Sequence, residues 1–312
     1  MWKKLKAWKE TRIGKIEPSA NTRAIWGTIA ALALCDAIGL QVQGMHLVLK
    51  ALLSNVIAIL IILSMSFAYH YLRPRMRISE MTHMTAIILA FSCTVSILSY
   101  IVTTLPRPLF DVEFVRADRA LGLHWLAQYN WVMAHPYVHA ALYMAYATLI
   151  PQLLAVIFVL NFHGLCSRGW ETMWLLVTSC VGCIIMSGIW PAEGAFGYYQ
   201  VELNRAYVQV FMGLHNGTIK TIGDQSIQGV IQFPSFHVAL ALVLTYAARG
   251  RKYLFPLLVE LNILLFLSTP SIGGHHFADL WGGVALALLS IWFVRKVISP
   301  RLHPDMAKVT EV

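Results

Sequence analysis

The feature that most constrains this chain is a series of apolar stretches, each close to the length that crosses a bilayer. They fall at 24–42, 46–71, 81–104, 139–162, 172–190, 234–248, 253–270 and 276–295. A transmembrane helix needs about 20 mostly apolar residues, and backbone at membrane depth has to satisfy its own hydrogen bonds. The expected fold is therefore an all-α polytopic membrane protein with about eight transmembrane helices. Stretches six and seven are short, and Arg249, Arg251 and Lys252 crowd between them, so they read as a tight helical hairpin. Charged residues make up 12% of the chain and hydrophobic ones 58%. A soluble domain carries about 25% charged residues, so a soluble class is excluded.

The net charge of +9 would suggest a nucleic-acid partner in a soluble protein. Here it has another source. If the amino terminus is inside, 18 of the 24 Lys and Arg residues fall on the inner side, and basic residues collect in cytoplasmic segments. Both termini are then expected in the cytoplasm and the chain in the cell (inner) membrane. Two long connections, 105–138 and 191–233, face outward. The basic segment 1–23 reads as a cytoplasmic amphipathic stub with Trp2 and Trp8 at the membrane surface, and 299–312 as a cytoplasmic tail. The first outer connection has apolar spacing of three and four, as in a helix lying in the interface. Of five cysteines, four fall inside apolar stretches, and the Cys180–Cys183 pair reads as packing rather than redox chemistry.

Two polar signals stand out against this background. "GGHHFADLWGG", residues 273–283, opens the eighth stretch, and "FPSFH", residues 233–237, opens the sixth. Ionisable groups at membrane depth are a functional hypothesis by default. An even number of crossings separates the two signals, so they share a side and a depth. His275 and Asp279 are four residues apart, which on a helix puts them on one face. The carboxylate can hold one imidazole nitrogen as N–H and leave the other free as nucleophile or base. His237 adds a second imidazole. Such a set suits covalent phosphoryl transfer, one His attacking phosphorus and the other protonating the leaving oxygen. Gly273-Gly274 and Pro234-Ser235 sit at two helix starts, whose free N–H groups favour anions and would cradle a phosphate without a metal or other cofactor. His276 reads as a structural side chain at the interface. His124, His135, His139 and His215 share the outer side but lack tight ligand spacing, and Glu193 and Asp224 read as loop charges.

Ser268, His275 and Asp279 reproduce the spacing of the last motif of the type 2 phosphatidic acid phosphatase superfamily, and Pro234-Ser235-Phe236-His237 resembles its middle motif. The resemblance implies a six-helix phosphatase-type catalytic bundle within 73–298, preceded by two additional helices in 24–72. It implies His275 as the nucleophile that forms a phosphohistidine, Asp279 as its partner and His237 as the general acid. Ser235, Ser268 and Gly274 would contact the substrate. The superfamily's first motif, a Lys followed by an Arg-Pro pair, is not recognisable in "SGIWPAEGAFGYY", and Thr269 stands where Arg usually follows the Ser. Arg107, Arg116, Arg119 or Arg205 would have to reach in from the outer connections to compensate phosphate charge. Trp190-Pro191-Ala192, Asp118-Arg119-Ala120-Leu121-Gly122 and the Phe-Pro-Ser-x-His pattern are similar to the aureobasidin-resistance branch, the inositol phosphorylceramide synthases. There His276 takes the place of a usual Tyr.

The expected function is metal-independent transfer from a lipid phosphate ester at the outer face. The acceptor is water in a phosphatase, or a lipid alcohol such as ceramide or a glyceride in a phosphotransferase. The partners are those lipids and the bilayer, with no nucleic acid. The alternative is a non-catalytic lipid-binding or transport protein that keeps the fold.

Overall fold

The computed structural model describes residues 19–73, 75–201, 205–223 and 229–299. The amphipathic stub before Ser19, Asp224, the tail beyond Ser299 and the Arg205 side chain lie outside what is described. Helices α1 (Ala20–Gln43) and α2 (Leu49–Phe67, extended by a π-turn to Leu72) precede α3 (Met76–Thr103). Ser19 caps α1 by accepting from the Thr22 N–H, and Gly44, at φ 61°, ends it. Then come α4 (Asp111–Ala120), α5 (Trp125–Met133), α6 (Pro136–Ala147), α7 (Leu149–Phe162) and α8 (Cys166–Ile189). After α9 (Gly194–Tyr198) and α10 (Arg205–His215) the chain closes with α11 (Phe236–Ala247), α12 (Leu254–Gly273) and α13 (Phe277–Phe293, extended to Ile298).

Eight crossings were expected. Six helices among the described residues are long and apolar enough to cross a membrane: Ala20–Gln43, Leu52–Leu72, Met76–Thr103, Cys166–Tyr198, Leu254–Gly273 and Phe277–Ile298. The fourth expected span is broken into α6 and α7, bent by 45°, and counting that pair gives seven. The break has a local cause. Pro151 lacks the N–H that would carry the helix ladder back to Ala147, and the Thr148 hydroxyl bonds the Ala145 carbonyl at 2.6 Å instead. The sixth, α11, has 12 residues, about 18 Å of helix, which is short of the roughly 30 Å hydrocarbon layer. The apolar run that suggested a longer span includes Pro234 and Ser235, which are not helical.

The core lies where α8 packs against α3, α7, α11 and α13, with Met173, Leu175, Ile157, Leu160, Leu240 and Leu244 at 1% exposure or less. Outward faces carry Leu60, Ile61, Leu288 and Trp292, all more than half exposed, as expected where a helix bundle meets lipid. At one end of the bundle Arg168 donates to the Arg249 carbonyl, Arg249 pairs with Glu171 at 2.8 Å, Arg77 donates to the Phe162 carbonyl and Trp174 donates to Asn21. These contacts gather the start of α1, α3 and α8 with the ends of α7 and α11 into one basic end. The expected long connections lie at the opposite end, built as α4, α5, α9 and α10. A short parallel pair there, His46–Leu47 beside Thr221–Ile222, ties the α1–α2 link to the second connection.

Candidate active site

The turn between α12 and α13 sits at this opposite end. Gly274 ends α12 with φ 69°, a left-handed conformation that costs glycine little. Its carbonyl accepts from the Ala195 N–H at 2.7 Å, and a Cβ here would meet the Phe196 ring at 2.2 Å. The turn then releases His275 and His276 before α13 begins. Asp279, in the first turn of α13, holds both: Oδ2 accepts from the His276 backbone N–H at 2.9 Å and bonds His275 Nδ1 at 3.2 Å. With Nδ1 committed, Nε2 of His275 is left toward the Ser235 hydroxyl, 3.5 Å away.

Ser235 belongs to the facing element. It caps α11 by accepting from the Val238 N–H, and its own N–H donates to the Asp279 carbonyl at 2.9 Å. That bond draws the starts of α11 and α13 together. The approach needs Gly283, where a Cβ would stand 2.5 Å from the Ser235 carbonyl. His237, in the first turn of α11, stacks on Tyr146 with ring centroids 4.3 Å apart and faces His275 at 6.4 Å. His237 and His275 both line a cavity of about 550 Å³ that runs down between α3, α7, α8 and α11. Most of its wall is apolar, with Tyr207, Gln232, Ser99 and Tyr146 as polar lining. Burial, and then the neighbouring His276 charge, hold His275 well below the ordinary imidazole value, at about 3. A neutral ring with Nδ1–H on a carboxylate and a free Nε2 is set up as a nucleophile.

Two residues of the first connection reach this turn although they were not among the expected site residues. Asp118 accepts from the Phe277 and Ala278 N–H groups at 2.9 and 2.8 Å. Asp111 accepts from the Glu193 and Gly194 N–H groups and pairs with His276 Nε2 at 2.9 Å. Both are buried at 3% exposure, which nothing in the local sequence marks. Burial raises the Asp118 carboxyl above its usual range, against the two backbone N–H bonds that pull it down.

These contacts revise several expectations. The start of α13 is already occupied by the Asp118 carboxylate, so two open helix starts do not converge on one anion. The start of α11 keeps the Phe236 and His237 end beside the cavity. Ser268, fully buried, gives its hydroxyl to the Leu265 carbonyl at 2.7 Å and does not line the cavity. Gly274 serves packing under Phe196 rather than substrate contact. Thr269, where the resembling motif has Arg, is likewise buried and bonded to the Leu265 carbonyl. Arg107, Arg116 and Arg119 are exposed, and no Lys or Arg among the described side chains lines the cavity. His276, expected at the interface, is fully buried. Among the described residues no group of three His, Cys, Asp or Glu is placed to hold a metal ion. Cys183 packs below the site, its thiol on the Pro234 carbonyl.

Neither the curated proteins nor the solved structures yield a match to this chain. The family model of the PAP2 superfamily matches residues 112–293, a stretch that begins in α4, ends with α13 and contains His237, His275 and Asp279. By that match over more than half its length, the chain belongs to the PAP2 superfamily.

Proposed function

We propose that this protein is a membrane lipid phosphatase or phosphotransferase that works through a phosphohistidine on His275. Family membership supports a lipid phosphatase-type function. The observation that carries the reading further is the pairing of His275 Nδ1 with Asp279 while Nε2 turns toward Ser235 and His237. A lipid phosphate ester enters the apolar cavity with its phosphorus between the two rings. The Nε2 lone pair attacks phosphorus, the bond to the leaving oxygen breaks, and His237, which burial and then the nearby His275 keep neutral at rest, gives that oxygen a proton that it takes up as the anionic ester binds. Asp279 stabilises the positive charge that develops on His275. In the second half His237 takes the proton of water or of a lipid alcohol, whose oxygen attacks phosphorus and releases neutral His275. Ser235 and the N–H groups at the start of α11 face the charge that develops on the phosphoryl oxygens. Water as acceptor makes a phosphatase. A ceramide or glyceride hydroxyl makes a phosphotransferase like inositol phosphorylceramide synthase, with the active site on the outer face of the membrane.

The test is mass spectrometry of purified protein incubated with a mixed phospholipid extract, wild type against His275→Ala. A dephosphorylated lipid with free phosphate identifies a phosphatase, and a lipid carrying a moved headgroup identifies a transferase. Both disappear in His275→Ala. Identical product profiles from the two proteins would overturn the reading and leave a lipid-binding protein in its place.

A further inference from the structure

We propose that His276 is a positioning residue: a buried imidazolium, gripped by Asp111 of the first connection, that supplies the positive charge beside Asp279 and thereby secures the Asp279–His275 hydrogen bond. The proposal rests on the phosphoryl-transfer reading above and adds α4 to the machinery that makes His275 a nucleophile.

The contact at Nε2 points this way, while Nδ1 is buried with no hydrogen-bond partner among the described residues. His276 is fully buried, and its Nε2 lies 2.9 Å from the Asp111 carboxylate. Phe114 and Tyr198 wall the ring, with centroids 6.2 and 6.0 Å away. The charged groups that face it are all acidic except His275: Asp111 and Asp118 from α4, Glu193 from the turn before α9, and Asp279 from α13. Asp279 itself is fully buried and receives only the His276 N–H and His275 Nδ1 among the described residues. A buried carboxylate with no cation nearby tends to take up a proton, and a protonated Asp279 could not stabilise a charged His275. An imidazolium beside the carboxylate opposes that tendency. Burial works against a charge on His276, yet the bond to Asp111 and the fields of Asp279, Asp111 and Asp118 outweigh it and raise the ring above the ordinary imidazole value. A Tyr here, the residue usual in the resembling branch, could donate to Asp111 but would bring no charge.

The sign for stability follows by linkage. A folded-state pKa above the ordinary 6.5 means the His276 contribution is complete below that value and is lost as pH rises through the raised one.

Two variants separate this role from simple packing. His276→Tyr keeps an aromatic ring and a donor, and Asp111→Asn keeps the side-chain shape and one acceptor oxygen where the carboxylate meets the Glu193 and Gly194 N–H groups with one oxygen each. Turnover of phospholipid vesicles is followed against pH for wild type and both variants, alongside thermal unfolding in detergent over the same range. We expect His276→Tyr to lower kcat by about 10- to 100-fold, the scale seen when a supporting residue behind a reacting group is lost, with KM little changed. Its pH profile should lack the alkaline fall of wild type, and in Asp111→Asn that fall should move to lower pH. Wild-type stability should decline as pH rises above 6.5, and His276→Tyr should not follow it. Variants with wild-type kcat and an unmoved alkaline limb would overturn the proposal, as would losses of rate that track losses of stability alone. Should wild type turn over no lipid, the proposed function fails by itself. The stability comparison still decides His276, since parallel curves for wild type and His276→Tyr would refute a charged ring.

Discussion

Asp279 receives two donors on a single oxygen. Its Oδ2 serves both the His276 backbone N–H and His275 Nδ1, so one carboxylate fixes the direction of the turn and the tautomer of the imidazole. Asp279→Asn retains an acceptor for the backbone N–H but brings no negative charge to a His275 that becomes cationic. The proposed chemistry predicts a fall in kcat on the order of 10²- to 10⁴-fold, the range for lost acid–base assistance, with thermal stability close to wild type. Steady-state kinetics of the purified variant checks this, and a wild-type rate would remove Asp279 from its role. The four-residue spacing led to the expectation of His275 and Asp279 on one helix face; the two do pair, but His275 lies in the turn before α13, and the bond reaches from that turn to the first turn of the helix. Asp111 and Asp118 were not legible. Their partners are backbone N–H groups and a ring between 82 and 165 residues further on, and no local pattern announces such a contact. Ser268 shows the converse, since its register with His275 is motif-like while its hydroxyl is spent inside α12.

At the scale of elements, α4 acts as a cap for another helix. The first N–H groups of a helix lack intrahelical partners, and at α13 the side chain that satisfies Phe277 and Ala278 comes from Asp118, not from a neighbour in sequence. Negative charge at a helix start also meets the favourable end of its dipole. Asp118→Ala should cost about 1–2 kcal/mol, the upper range for losing a cap, and lower the thermal midpoint. Asp118→Asn should lie between the alanine variant and wild type. A midpoint unchanged in Asp118→Ala would mean that other groups satisfy those two donors. The first outer connection was expected to hold an interfacial helix, and the apolar spacing behind that expectation is met by α4 and α5. What spacing could not reveal is the docking, because the face that binds α13 is made of Asp111, Val115 and Asp118, two of them acids. The count of eight spans is met only in part, for a related reason. Hydropathy registers apolar length, and neither the missing N–H of Pro151 nor the non-helical Pro234-Ser235 changes it.

For the whole molecule, the two ends of the bundle differ in charge as the sequence indicated. Arg77, Arg168, Arg249, Arg251 and Lys252 cluster at the end away from the candidate site. If positive-inside bias holds the basic end in the cytoplasm, the His237–His275 cavity faces outward, as proposed above. That arrangement makes a definite prediction for labelling in intact cells. Arg119, exposed on α4 next to the Asp118 that caps α13, lies at the site end. Lys252, exposed between α11 and α12, lies at the basic end. Arg119→Cys should react with a membrane-impermeant maleimide in intact cells, and Lys252→Cys only after permeabilisation, with the wild type's own five cysteines as background control. The reverse pattern would place the site on the cytoplasmic side. His275 would then face a phosphate ester in the inner leaflet, and the proposed hydrolysis or transfer at the outer surface would have to be given up.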